Sequence, residues 1–167
     1  MPDGLYERDA LAWAEQQAAL LRRLAAGEGV NEAVDWPNVI EEVQDVGLSE
    51  LRACQSLLLQ AMTHLLKLRA WPGSRAAAHW RDEAGVFLDD AEQRFTPSMR
   101  QRIGLDDLYA KALRRARAAT DDTGAPHPLP KVCPFTLDAL LTGDIAELGS
   151  KLDGAPLSAE AGPEARP

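Results

Sequence analysis

Cys54 and Cys133 are the only thiols in a chain of 167 residues. Two cysteines so far apart leave no disulfide framework and no paired Cys-x-x-Cys spacing of the kind that holds zinc. Aromatic residues make up just 5% of the sequence, and there are no blocks of β-branched and aromatic residues of the kind that mark strands. No uninterrupted apolar run approaches the ~18 residues of a membrane span. The acidic start lacks the apolar core of a signal peptide, which makes the cytoplasm the expected location. Signatures of catalysis are missing as well. There is no Gly-x-Ser-x-Gly elbow, no phosphate-cradling loop, no dinucleotide fingerprint and no His-Glu-x-x-His. The Glu-x-x-His pair of carboxylate-bridged helical bundles is absent too. Motifs therefore point to no cofactor, no metal and no catalytic residue. A net charge of −8 makes nucleic acid an unlikely partner, since phosphate binding needs basic surface.

What the chain does have is helix-forming sequence, rich in Ala, Leu, Arg, Glu and Gln. One feature dominates. Val39, Ile40, Val43, Val46, Gly47, Leu51, Cys54, Leu57, Leu58, Ala61, Leu65 and Leu68 recur at steps of three and four, the spacing of one helix face. They define a single helix from Asn38 to about Arg69, roughly 48 Å long at 1.5 Å per residue. Asp35 can cap it, and Pro37 is tolerated only in its first turn. An earlier helix from Tyr6 or Asp9 to Ala26 carries Trp13, Gln17, Leu20, Leu21 and Leu24 on one face. Ser74 can cap a third helix bearing Trp80, Phe87 and Leu88. Thr96-Pro97 reads as the start of a fourth, with a possible break at Gly104-Leu105-Asp106. Thr136 caps a short helix, Leu137 to Leu141. The expected fold is all-α: a helical bundle of four main helices with one very long central helix and a short C-terminal helix. Residues 1–142 form the expected bundle domain. Residues 143–167, Gly/Ala/Pro-rich with a net charge of −3, form the expected acidic tail, with one or two more helical turns at Asp144–Gly149.

Tyr6…Asp9…Trp13…Gln17…Leu20-Leu21-Arg22 and, above all, Asp35-Trp36-x-Asn38-Val39-x-Glu41-Glu42-Val43-x-Asp45-Val46-Gly47-x-Ser49-Glu50 carry a resemblance. His64-Leu65-Leu66-Lys67-Leu68, Trp80-Arg81 and Cys133-Pro134-Phe135-Thr136-Leu137 extend it. Over roughly Tyr6 to Leu141 the chain resembles the bacterial family catalogued as domain-of-unknown-function family 29. The resemblance implies an all-helical fold and a bacterial cytoplasmic origin, and no particular activity. Similar proteins carry a Ser-x-Ser-Trp-Arg stretch before a more basic helix, whereas Ser74–Arg81 here leads into Asp82-Glu83-Ala84-Gly85.

Among polar positions, Glu50 falls on the apolar stripe beside Val43, Val46, Cys54 and Leu57. A carboxylate there calls for a partner, and Arg22 and Arg81 are the candidates. His64 lies on the flank of the same helix, about 21 Å along the axis from Glu50, too far to share a metal with it. His79 and Glu83 stand one turn apart, a spacing that usually means a solvated helix contact. Gly47, inside a helix and on its apolar face, suggests that another helix crosses closely. The acidic block Glu32 to Glu50 and the basic segment Ser98–Ala119, net +4, could pair two copies. The leading functional reading is a non-enzymatic protein–protein interaction or accessory protein that forms a homo-oligomer, most simply a dimer. The alternative is a small-ligand binding protein or hydrolase-like enzyme with a pocket between the first three helices. The candidate site residues for either are Trp13, Trp36, Glu50, His64, Trp80 and Arg81.

Overall fold

A computed structural model describes residues 4–157. These form seven α-helices and no strand. They are α1 (Leu5–Arg8), α2 (Ala10–Ala25), α3 (Trp36–Ala70), α4 (Ala77–Arg94), α5 (Leu105–Ala118), α6 (Leu137–Thr142) and α7 (Ile145–Gly154), with short 3₁₀ turns at Asn31–Ala33 and Pro97–Met99. At 35 residues, α3 is roughly 52 Å long. The chain divides into two compact units, residues 1–49 and 50–167. α3 contributes its first part to one and the remainder to the other.

Local chemistry explains several boundaries. Asp9 interrupts the first helix: its backbone leaves helical geometry at φ −152°, and its carboxylate accepts from Ala12 N–H, starting α2. Ser74 Oγ accepts from Ala76 N–H just ahead of α4. The expectation that Thr96-Pro97 opens a long helix is corrected. Thr96 makes no side-chain cap, its hydroxyl is engaged by Ser98 Oγ, and only a 3₁₀ turn follows. The regular helix restarts after Gly104. Thr136 does cap α6, accepting from Ala139 N–H at 3.2 Å.

The first unit has a thin core. Among its described residues only Trp13, Gln17 and Val34 are buried. The second unit holds the main core, built from Cys54, Leu58, Ala61, Met62, Leu65 and Leu66 of α3 with residues of every later helix. Two expectations change here. The apolar stripe of α3 is buried as a continuous face only from Leu51 onward; Ile40, Val43 and Val46 are 55%, 70% and 68% exposed. Periodicity reports that a face is apolar, not that something covers it. Second, a Cβ built on Gly47 would meet nothing within 4 Å, so no helix among the described residues crosses closely there.

A further helix lies beyond residue 142. α7 runs to Gly154, capped by Asp144, whose carboxylate accepts from Glu147 N–H at 2.7 Å. Leu148 and Leu152 belong to the core. The rest of the expected tail, 158–167, lies outside the described residues.

Candidate functional site

In the first unit, polar side chains meet around Asp35. Its carboxylate accepts from Trp13 Nε1 at 3.1 Å and from Asn38 Nδ2 at 2.8 Å. Its backbone N–H donates to Gln17 Oε1 at 2.8 Å, which satisfies a buried amide. Tyr6 packs edge-on against Trp13, ring centroids 4.8 Å apart. The Tyr6 hydroxyl donates to Glu42 Oε1 at 2.7 Å, and that bond to a carboxylate pushes the phenol up to about 12. A small depression of about 140 Å³ lies among these residues. Trp36 stands apart from it, over a third exposed, its indole N–H donating to Asn31 O at 3.2 Å. The cluster works as a polar lock that fixes the start of α3 against α1 and α2. Gln17, spaced on the apolar face of its helix, read as packing; its role as acceptor for Asp35 had no signal in the spacing.

In the second unit, Glu50 does meet an arginine from another helix, but it is Arg94 of α4, with Nη1 to Oε2 at 3.0 Å. The carboxylate is 53% exposed, at the edge of the stripe with its head in water. An exposed pair of this kind contributes about 0.2–1 kcal/mol. Arg81 is not its partner.

His64 finds an unforeseen neighbour. Its Nδ1 lies 3.2 Å from Glu83 Oε2, and His79 Nε2 lies 3.3 Å from the same oxygen. The His64 contact lies outside hydrogen-bond geometry, leaving Nδ1 buried and without a proper acceptor or donor. Phe87 packs edge-on against the ring. Among the described residues no group of three or more His, Cys, Asp and Glu could hold a metal ion. Burial lowers the His64 pKa; the Glu83 carboxylate opposes this less strongly. A depressed histidine pKa means that the unfolded chain binds the proton more readily. The His64 contribution is therefore complete above the ordinary value of about 6.5 and is lost as pH falls through it. Urea midpoints are expected to drop from pH 7.5 to pH 5.5, with a smaller drop in His64→Gln. Equal pH dependence in the two proteins would remove this assignment.

Trp80 is half-buried, 6.4 Å from Trp71 between ring centroids, with Lys67 Nζ 5.5 Å above its ring. Trp71 is buried and its indole N–H donates to Gly124 O at 3.0 Å. Arg81 projects from α4 at the edge of a cavity of about 370 Å³ lined by α3, α4 and α7. The six sequence candidates thus fall into separate surroundings: Trp13 and Trp36 in the first unit, and Glu50, His64, Trp80 and Arg81 in the second. Glu50 is paired with Arg94, His64 packs against Phe87 beside Glu83, and Trp80 lies under Lys67.

The model of the family described as "Domain of unknown function DUF29" matches residues 5–145. The chain belongs to this family. A solved structure is similar to it: an alpha-helical protein of unknown function from Rhodospirillum rubrum is 27% identical, with a TM-score of 0.67, over 90% of this chain and 98% of that one. The chain matches none of the curated proteins. DUF29 membership carries the all-helical fold and brings no specific activity with it. No helix among the described residues is long and apolar enough to cross a membrane.

Proposed function

We propose that this DUF29 protein is a non-enzymatic interaction protein of the bacterial cytoplasm that works by pairing with a second copy of itself through the first half of α3. The observation that carries this reading is the exposed row Trp36, Ile40, Val43 and Val46, at helical spacing on one face. Exposed apolar rows of this kind mark docking surfaces, and a unit with only three buried residues among those described has little core of its own.

Charge favours a second copy as the occupant. Glu41 and Asp45 lie on the opposite side of the helix, and Glu42 is engaged by Tyr6. The row itself is uncharged, so a two-fold pairing buries no like charges. Antiparallel pairing would set the Trp36 ring of one copy over the partner's Gly47, where space for a Cβ is open, and Ile40 over the partner's Val43. A surface this narrow supports weak association, with a dissociation constant on the order of micromolar.

Sedimentation equilibrium across a concentration series is expected to show a monomer–dimer equilibrium. Val43→Glu should abolish it with the fold retained. Gly47→Leu is the sharper variant. In the monomer it should stabilise slightly, by about 0.8 kcal/mol from helix propensity, while it obstructs the seam and weakens pairing at least tenfold. A wild-type protein that stays monomeric, or a Gly47→Leu dimer of unchanged affinity, would overturn the reading.

A further inference from the structure

A second feature stands independently of that pairing, at the far end of α3. The cavity of about 370 Å³ lies wholly within the second unit, and its size is that of a site for a small organic molecule. Its accessible apolar surface comes from half-buried Leu68 and Ile145 with exposed Pro72 and Ala146, above a closed floor of Leu65 and Leu152, each 1% exposed. Nothing fills the space beside Gly149, where a Cβ would have no neighbour within 4 Å.

Its polar side is cationic. Arg69 Nε lies 2.8 Å from Asp153 Oδ1, but off hydrogen-bond geometry and buried, so Asp153 balances that charge without fully using the guanidinium. Arg81 also lines the cavity, and among the described residues it makes no hydrogen bond or ion pair. The sum over the lining is two guanidinium groups against one carboxylate. A guanidinium is a fixed fork of donors suited to the two oxygens of a carboxylate or phosphate. Beside an apolar wall it selects an anion that carries a hydrocarbon body rather than an inorganic ion, because only the body covers the Leu68 and Ile145 surface still open to water.

We infer that this cavity binds an amphipathic organic anion, its carboxylate or phosphate on Arg81 and Arg69 and its hydrocarbon part against Leu68, Ile145 and Pro72. Such an anion could be a free fatty carboxylate or an alkyl phosphate. Both share the headgroup chemistry, and the probes separate them.

The test is isothermal titration of the full chain with octanoate, with octyl phosphate and with octanamide, the uncharged analogue of octanoate. One or both anions are expected to bind saturably, with a dissociation constant of about 1 mM or tighter, and the tighter anion identifies the headgroup. Octanamide should bind at least roughly tenfold more weakly, the cost of losing charge-assisted hydrogen bonds. Arg81→Ala should weaken the anion by a similar factor. Arg81 is exposed, so the fold is expected to survive that change, with circular dichroism as the check. Arg81→Lys, which keeps the charge and loses the fork, should fall between the two. Absence of saturable binding by both anions, octanamide binding as tightly as octanoate, or full affinity in a folded Arg81→Ala would each overturn the assignment. None of these outcomes bears on pairing through α3, which sedimentation reads separately.

Discussion

Leu148→Ala is expected to cost about 3 kcal/mol of folding stability, within the roughly 2–5 kcal/mol range for truncating a buried leucine. The expected size follows from where α7 sits. Leu148 is fully buried and Leu152 is 1% exposed, one turn apart on the face that closes the core. The helix is held in place from both ends. Asp144 caps its first turn, and Asp153 near its end lies 2.8 Å from Arg69 of α3. Removing three carbons at Leu148 leaves a void bounded by rigid helices, which cannot collapse to fill it. Leu157, 41% exposed, is the matched control, and Leu157→Ala should change little. Urea denaturation compares the three proteins directly. A cost below about 1 kcal/mol for Leu148→Ala would mean that α7 is a dispensable appendage.

The second large effect is expected at Tyr109 on α5. Its ring is 1% exposed, packs edge-on against Phe135 at 6.2 Å, and its hydroxyl donates to the carbonyl of buried Pro130 at 2.9 Å. Burial pushes the phenol well above its ordinary value, since the charged form would lose its solvation. Tyr109→Ala removes both the ring and the bond, and should cost about 3–5 kcal/mol. Tyr109→Phe keeps the ring and leaves the Pro130 carbonyl without its donor, a loss of about 1–2 kcal/mol. The pair of variants separates packing from hydrogen bonding. Equal losses for the two would show that the hydroxyl alone anchors the connector to α5. No loss in either would contradict the burial of this residue.

Apolar spacing made the helices legible, and short polar signals fixed some of their starts. Thr136 reads as a cap and is one. Cys54 reads as a small core residue, and it is buried with its thiol directed to Ala91 O. Where a signal depended on a single dipeptide it misled: Thr96-Pro97 opens only a 3₁₀ turn, because the proline suits that turn as well as a helix. The helix of Ile145–Gly154 was half hidden by composition. Its glycines and serine suggested a tail, while its two buried leucines, four residues apart, carry the packing.

The candidate site was less legible. Glu50 stood out because it interrupts a stripe, yet whether the stripe is covered at that level depends on which other helices reach it. Arg94 rather than Arg81 meets Glu50, and Glu83 meets both His64 and His79. Contacts between residues tens of positions apart depend on the rotation and axial offset of whole helices, and no local pattern encodes either.

By itself, then, the chain determined its all-α class, the long α3 and the apolar character of the α3 face. Those follow from local propensity and from a period of three to four residues, which each segment carries alone. Only the tertiary structure decided that Ile40, Val43 and Val46 face solvent, that α7 completes the core, and that Arg69 and Arg81 border one cavity. Burial and convergence are properties of helices packed against each other, and they arise from side chains that the sequence keeps far apart.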